Sequence, residues 1–288
     1  MKKYNKLMCM LLALSMVFAL CACGGTAAPT ATAPPPAATE TAVSTVVAGK
    51  LTVATSPDFA PYEFYAIDAN GDPQLAGFDI ALAQYIADYL GLELDVIPMD
   101  FDGVLNELAA GSVDLGVAGL SPDPERADAM DFSDLYYMGG QAFVTVKGSE
   151  DKFATLEDAN KAEYSIGAQN GSIQLDLANE YTPNADIVPL VKVTDIIAEL
   201  LGGKLDGAFI ETAVAENYAK SYPDLVVVLD VPYDQAGSAV GVMKGNAALL
   251  EGVNAAIAAA LADGSMDKFV AEANEKSTGE IIEGLIEK

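Results

Sequence analysis

Apolar positions along this chain follow two alternating periods. Leu51-Thr52-Val53-Ala54-Thr55 reads as a strand, and Ser56-Pro57-Asp58-Phe59-Ala60-Pro61 after it as a loop with two prolines. Asn70-Gly71-Asp72-Pro73 is a strong turn signal. At Asp79, a candidate N-cap, the period changes: Ile80, Ala83, Ile86, Ala87 and Leu90 fall on one helical face. Residues 92–97 then read as strand, 102–110 as helix and 113–117 as strand. A second series gives strand 164–168, helix 172–180, strand 187–191, helix 195–201 and strand 205–210. Strand 239–243, the alanine-rich helix 247–262, helix 266–274 and an amphipathic turn or two over 278–287 complete the chain. Strands alternating with helices predict an α/β fold, with a mostly parallel sheet covered by helices on its faces.

One segment echoes another. Glu107-Leu108-Ala109-Ala110-Gly111-Ser112-Val113-Asp114 is matched by Glu199-Leu200-Leu201-Gly202-Gly203-Lys204-Leu205-Asp206. Each holds a helix end, a closing glycine, an aspartate and then a strand. Either common helix–glycine–strand turns coincide here, or the chain folds into two similar lobes. Ligands of open α/β sheets bind beyond the carboxyl ends of strands. The echo therefore places Gly119, Ser121 and Arg126 at the end of one lobe and Glu211 at the end of the other.

Composition narrows the partners. Of 288 residues, 42 are acidic and 15 basic, a formal net charge of -27. That opposes nucleic acid and anionic membrane surfaces, both of which select basic patches. Histidine is absent, which removes the commonest general base and the commonest metal ligand. No metal or other cofactor is implied, although oxygen-only metal sites stay open. The three cysteines, Cys9, Cys21 and Cys23, all lie in the first 23 residues, so the folded part carries neither a disulfide nor thiol chemistry. Lys2, Lys3 and Lys6 precede an apolar run over 7–20, too short for a comfortable membrane span and of the length of a secretory signal. Leu20-Cys21-Ala22-Cys23-Gly24 resembles a bacterial lipobox, with Cys23 as the lipidated residue. A plain signal peptide with incidental cysteines is the alternative. Residues 23–49, rich in Ala, Thr and Pro, read as a semi-extended tether.

Arg126 is the single arginine in a chain whose other cations are all lysines. A guanidinium grips a carboxylate through two parallel hydrogen bonds, which an ammonium cannot do. The simpler reading is a surface pair with Glu125, Asp128 or Asp131. A fork-shaped cation on one lobe and Glu211 on the other would suit a zwitterion, the α-carboxylate meeting Arg126 and the α-ammonium Glu211. Gly167-Ala168-Gln169-Asn170-Gly171-Ser172 adds a glycine-rich turn leading into a helix, whose free N–H groups favour an anion.

Residues 50–275 resemble the family 3 solute-binding proteins, the polar amino acid receptors of ABC importers. The resemblance rests on Gly77-Phe78-Asp79-Ile80-Ala81-Leu82-Ala83, Asp102-Gly103 to Gly111 with Asp114, Ser121 to Arg126, Asp131-Phe132-Ser133 and Tyr136-Tyr137. Ala81 departs from the family pattern, which usually has an acid there, on an outward-facing position. The resemblance implies a two-lobed periplasmic-binding-protein-like fold (type II) with two hinge crossover strands, near 138–143 and 234–240. The first lobe would span 50–139 plus 240–288 and the second 140–239, following a signal peptide at 1–22. It further implies that Arg126 and Ser121 hold the carboxylate and amine end, that the Gly119 backbone accepts from the ammonium, and that Ser172 closes from the second lobe. Glu211 matches the acid for the ammonium, and Phe59 and Phe101 match aromatic positions around the ligand side chain. Read without the resemblance, those two phenylalanines are core packing. Ser56 stands where receptors for basic amino acids carry an acid, which favours a polar or neutral ligand. Gln169 and Asn170 complete the side-chain pocket. The expected partners are a free amino acid and the permease subunits of an importer, with the protein a monomer, lipid-anchored on the extracytoplasmic face. An enzyme on the same scaffold, dehydratase-like, would need an acid and a base from Glu211 and neighbours such as Glu63. A sensory module is the third reading.

Overall fold

The computed structural model describes residues 43–234 and 237–277. Cys23 with the leader, most of the expected tether and the turn expected over 278–287 lie outside the described residues. In chain order the elements are β1 (Lys50–Thr55), β2 (Asp58–Phe59), β3 (Glu63–Ile67), β4 (Pro73–Ala76), α1 (Phe78–Leu90), β5 (Glu93–Pro98), α2 (Phe101–Ala109) and β6 (Leu115–Gly116). Then follow β7 (Met130–Tyr137), β8 (Gln141–Val146), α3 (Leu156–Ala159), β9 (Ser165–Gln169), α4 (Ile173–Tyr181), β10 (Asp186–Leu190), α5 (Val193–Leu201) and β11 (Gly207–Glu211). Last come α6 (Thr212–Ser221), β12 (Leu225–Val231), β13 (Ser238–Met243), α7 (Ala247–Ala262) and α8 (Ser265–Lys276).

Two five-stranded sheets form two α/β lobes, ordered β5-β1-β6-β13-β7 and β10-β9-β11-β8-β12. Each is mixed, where the alternation of elements suggests a mostly parallel sheet. The chain leaves the first lobe after β7, enters the second at β8, and returns to the first as β13, which slots between β6 and β7 antiparallel to both. In the second lobe β8 likewise runs antiparallel to β11 and β12. A hairpin sheet, β2-β3-β4, projects from the first lobe around the turn expected at Asn70-Gly71-Asp72-Pro73.

Helix α1 buries Phe78, Leu82, Ala83, Ile86 and Ala87 against the first sheet. Fully burying a Leu, Ile or Phe side chain contributes about 1.5–3 kcal/mol each, so the stripe more than outweighs a missing cap. The cap is missing because Asp79 does not serve as one. The N-cap is Gly77, with φ 122° and no side-chain cap bond. A Cβ on Gly77 would fall 1.9 Å from the Tyr62 carbonyl oxygen, so only glycine fits. Asp79 instead accepts from the Gly119 N–H at 2.9 Å, tying the start of α1 to the loop after β6.

The internal echo is structural. At the end of α2 the N–H groups of Ala110, Gly111 and Ser112 donate to the carbonyls of Asn106, Leu108 and Glu107. At the end of α5 the N–H groups of Gly202, Gly203 and Lys204 donate to Ala198, Leu200 and Glu199, bond for bond. The aspartates also correspond. Asp114 takes the Thr52 N–H at 2.9 Å, and Asp206 takes the Ser165 N–H at 3.0 Å, each at the start of the neighbouring parallel strand. Asp114 also accepts from the Val46 N–H at 2.8 Å, holding residues just before β1 onto the lobe.

Candidate functional site

Between the lobes lies a narrow cleft, walled by Ser56, Phe59, Phe101, Gly119, Ser121, Arg126 and Gln169, and by Asp58, Glu63 and Gln174 among others. Seven of the ten residues expected around the ligand meet here; Ser172 and Glu211 stand behind the wall, and Asn170 turns its amide to Asp102.

Arg126 ends a one-turn 3-10 segment, Pro124–Arg126, capped by Asp123, which accepts from the Glu125 N–H at 2.8 Å. The guanidinium lies over the Phe101 ring, 5.8 Å from its centroid. Its Nη2 donates to the Gly171 carbonyl at 2.9 Å, across the cleft, and its Nη1 is buried without a partner. Burial lowers the Arg126 pKa, with Asp123 and Asp176 opposing. Among the described residues Arg126 makes no ion pair, and Asp131, one of the expected surface partners, pairs with Lys244 at 2.8 Å. A buried cationic N–H with no acceptor is chemically suited to an anion.

Gly119, at φ 58°, passes so close to Phe59 that a Cβ would sit 2.8 Å from the ring. Ser121 is buried on the same wall. Ser172 caps α4: its hydroxyl donates to the Gln169 carbonyl at 2.7 Å and accepts from the Leu175 N–H at 3.3 Å. Its own N–H also goes to Gln169. Ser172 therefore shapes the turn that offers Gln169 and Gly171 to the cleft. Glu211 caps α6, its Oε2 accepting from the Val214 N–H at 2.9 Å. Its Oε1 accepts from the Tyr62 hydroxyl at 3.1 Å, so Tyr62 of the first lobe stands against it. Burial pushes Glu211 up to about 7, against the pull of these hydrogen bonds. Phe59 and Phe101 are both buried, and Phe59 also packs on Tyr62 at 5.3 Å between ring centroids.

Two wall residues carry chemistry that local sequence did not expose. Glu63 has no solvent exposure; its carboxyl lies against that of Asp79, the two sharing a hydrogen bond, and neither of its oxygens meets an N–H or hydroxyl donor. Burial pushes its pKa well up, and the neighbouring Asp79 and Asp58 push it further. Asp58 is also buried and accepts from the Ser56 hydroxyl at 2.9 Å, the Val193 N–H at 2.6 Å and, weakly, the Gln169 amide at 3.5 Å. Burial raises it to about 6, as it does Asp79. Ser56 is thus no substitute for an acid; it holds one. The signal available in sequence was an acid in each of Pro57-Asp58-Phe59 and Tyr62-Glu63-Phe64, flanked by groups that bury well.

The arrangement presents one buried cation to an anion and several buried carboxyls to donors or cations. It has no histidine or cysteine for nucleophilic or acid–base relay.

Residues 51–274 match the model of the bacterial extracellular solute-binding proteins, family 3. The arginine-binding extracellular protein ArtP of Bacillus subtilis is 34% identical over 224 residues, covering 76% of this chain and 84% of ArtP. An amino acid ABC transporter substrate-binding protein, AbpA, from Streptococcus pneumoniae, solved bound to L-arginine, is 34% identical. It superimposes with a TM-score of 0.76 over 80% of this chain and 96% of that one. An ancestral arginine-binding protein solved with glutamine is also 34% identical, with a TM-score of 0.69 over 81% and 100% of the two chains. The match spans both lobes and every wall of the cleft, and the chain belongs to the family 3 bacterial extracellular solute-binding proteins.

Proposed function

We propose that this protein is the extracytoplasmic binding subunit of an ABC importer and that it captures a free amino acid with a cationic side chain, arginine in the first place. One observation carries the reading: the same cleft holds a buried, unpartnered Arg126 Nη1 and a buried Glu63 carboxyl whose hydrogen-bonding neighbour is another carboxyl, Asp79, with no cation beside it. An α-carboxylate satisfies the first and a guanidinium the second. Asp58 and Glu63 supply the acid that Ser56 lacks, and Phe59 and Phe101 offer flat faces to a planar side chain. Ser121 and the Gly119 backbone attend the amine end, and Glu211 adds its carboxyl from behind Tyr62. Gln169 and the Ser172-capped turn close from the second lobe. The arginine-bound and arginine-binding relatives agree with this.

A neutral ligand is the second reading, favoured by Ser56 and by the relative solved with glutamine. Calorimetry with arginine, its neutral isostere citrulline, and glutamine separates the two. Arginine should bind at least about tenfold more tightly than citrulline, because a hydrogen bond to a charged group contributes about 1.5–3 kcal/mol. Equal affinities would retain amino acid binding and discard the cationic side chain.

The lobes we assign to 50–139 with 240–288 and to 140–239, hinged at the two crossings, so that closure traps the ligand. A lipid on Cys23, after removal of 1–22, would hold the monomer at the outer face of the membrane beside its permease. Cys23→Ala should release it into the medium, and unchanged membrane retention would refute the anchor.

A further inference from the structure

Asp58 belongs to the first lobe, yet most of its partners belong to the second. Helix α5 starts at Val193, and its own N-cap, Lys192, makes no side-chain cap bond. The N–H groups of a helix start need acceptors. The Val193 N–H finds one across the cleft, Asp58 Oδ2 at 2.6 Å. The Gln169 amide approaches the same oxygen from the end of β9, and the Tyr218 hydroxyl on α6 donates to the Asp58 carbonyl at 3.1 Å. One residue thus meets three elements of the opposite lobe, and parting of the lobes would break these contacts.

What faces this carboxylate is neutral or acidic. Ser56 donates from the same loop; Gln169, Val193 and Tyr218 come from β9, α5 and α6; Asp100 before α2 adds negative potential, and Glu63 on β3, its pKa pushed well up, offers no positive charge. No ion pair within the described residues includes it. Closing the empty cleft therefore buries an anion without a counter-ion, which is costly.

We infer that Asp58 makes closure of the cleft conditional on a positively charged ligand side chain: it seats on the start of α5, and the ligand supplies the cation that the protein withholds. Neutral amino acids then bind with the closing step working against them. Asp58 acts as a specificity-determining residue by penalising the wrong ligand as well as attracting the right one. The inference rests on the cationic ligand proposed above. Sign and size follow from the titration. The closed-state carboxyl titrates near 6 against an ordinary value of 3.8, so at neutral pH an uncompensated closed state is disfavoured, and protonation below about pH 6 relieves it. One such unit is a factor of ten in affinity.

The test is the arginine-to-citrulline affinity ratio in the wild type, in Asp58→Asn and in Asp58→Ser, with melting of each ligand-free protein to check folding. Asn and Ser both keep an acceptor for the Val193 N–H and remove the charge. Citrulline should bind about tenfold tighter to the variants than to the wild type, and small-angle scattering should show citrulline closing the variants as arginine closes the wild type. Lowering pH from 7.5 to 5.5 should favour citrulline relative to arginine in the wild type and much less in the variants. If both ligands lose affinity equally, Asp58 is only a structural cap and the inference fails. It fails also if arginine alone weakens while citrulline is unchanged, since Asp58 would then be a simple contact. Should arginine not bind the wild type at all, the ligand proposal falls first, and the two failures are distinct.

Discussion

Replacing Arg126 by alanine removes the one arginine from a cleft whose other wall charges are carboxyls. The magnitude can be worked from its two nitrogens. Nη2 is already engaged with the Gly171 carbonyl at 2.9 Å, whereas Nη1 is buried and has no partner. A ligand carboxylate on Nη1 gains one charged hydrogen bond, about 1.5–3 kcal/mol. Without it, closure buries that carboxylate unpaired, a penalty of about 3–5 kcal/mol. Even the smaller range corresponds to roughly tenfold to more than 100-fold, and the larger one puts the expected loss at no less than about 100-fold. Arg126→Lys keeps the charge and loses the planar fork, so it should fall between alanine and wild type. Calorimetry with arginine reads all three proteins. The ligand-free melting temperature should move little, because the fold loses only the bond to Gly171 and the contact over the Phe101 ring. A drop in affinity of less than about tenfold for Arg126→Ala would refute the assignment of Arg126 to the ligand carboxylate.

Binding should release protons. Glu211 titrates near 7 because burial disfavours its charge, and an arriving ammonium holds it ionised, so affinity should weaken as pH falls below about 7 and level off above it. Calorimetry repeated in buffers of different ionisation enthalpy measures the release, which Glu211→Gln should diminish; an unchanged release would assign the protons elsewhere. Asp114→Ala strips acceptors from the Thr52 N–H, the Thr52 hydroxyl and the Val46 N–H. It should destabilise the first lobe by about 2–4 kcal/mol in denaturant melts, and a change below about 1 kcal/mol would show that the strand junction does not depend on it.

Much of the scaffold was legible because it is local. Helix α7 spans Ala247–Ala262, the range the alanine-rich run marks, and the Gly111 and Gly203 turns close α2 and α5 as their sequences suggest. What escaped was set by distant parts of the chain. β7 and β8 run into the first lobe crossing without a clear break in pattern, α6 is polar enough that only its Glu211 cap marks its start, and β12, although a β-branched run, follows no helix–turn signal to set it apart. Asp79 looked like an N-cap because it is an acid at the head of an apolar stripe. The Tyr62 carbonyl, crowding Gly77, set the helix start instead. Within the site, Arg126 was visible as a lone guanidinium, and Ser56 as a neutral residue at a position of interest. The charge beside it was not: Asp58 and Glu63 lie in a prolyl loop and a short hairpin strand, and what buries them is a neighbouring sheet and the opposite lobe.

The echo explains why a repeated scaffold yields an asymmetric clamp. Its two units share a helix end, a glycine turn and an aspartate bound to the neighbouring strand, and then they diverge. In the register of the echo, the residue opposite Glu211 is Gly119. Glu211 leads directly into α6 and caps it, so the second lobe ends its strand in an acid fixed by helix N–H groups. Gly119, in a left-handed conformation against Phe59, has no side chain to cap a helix, and the chain continues as a loop that reaches Arg126. The first lobe thus presents a cation on a loop, and the second presents an acid and the turn that receives it. Since Arg126 Nη2 already reaches the Gly171 carbonyl of that turn, the same guanidinium that holds the ligand's carboxylate also joins the lobes. Capture and closure then share one residue, and an amino acid lacking its carboxylate should lose both.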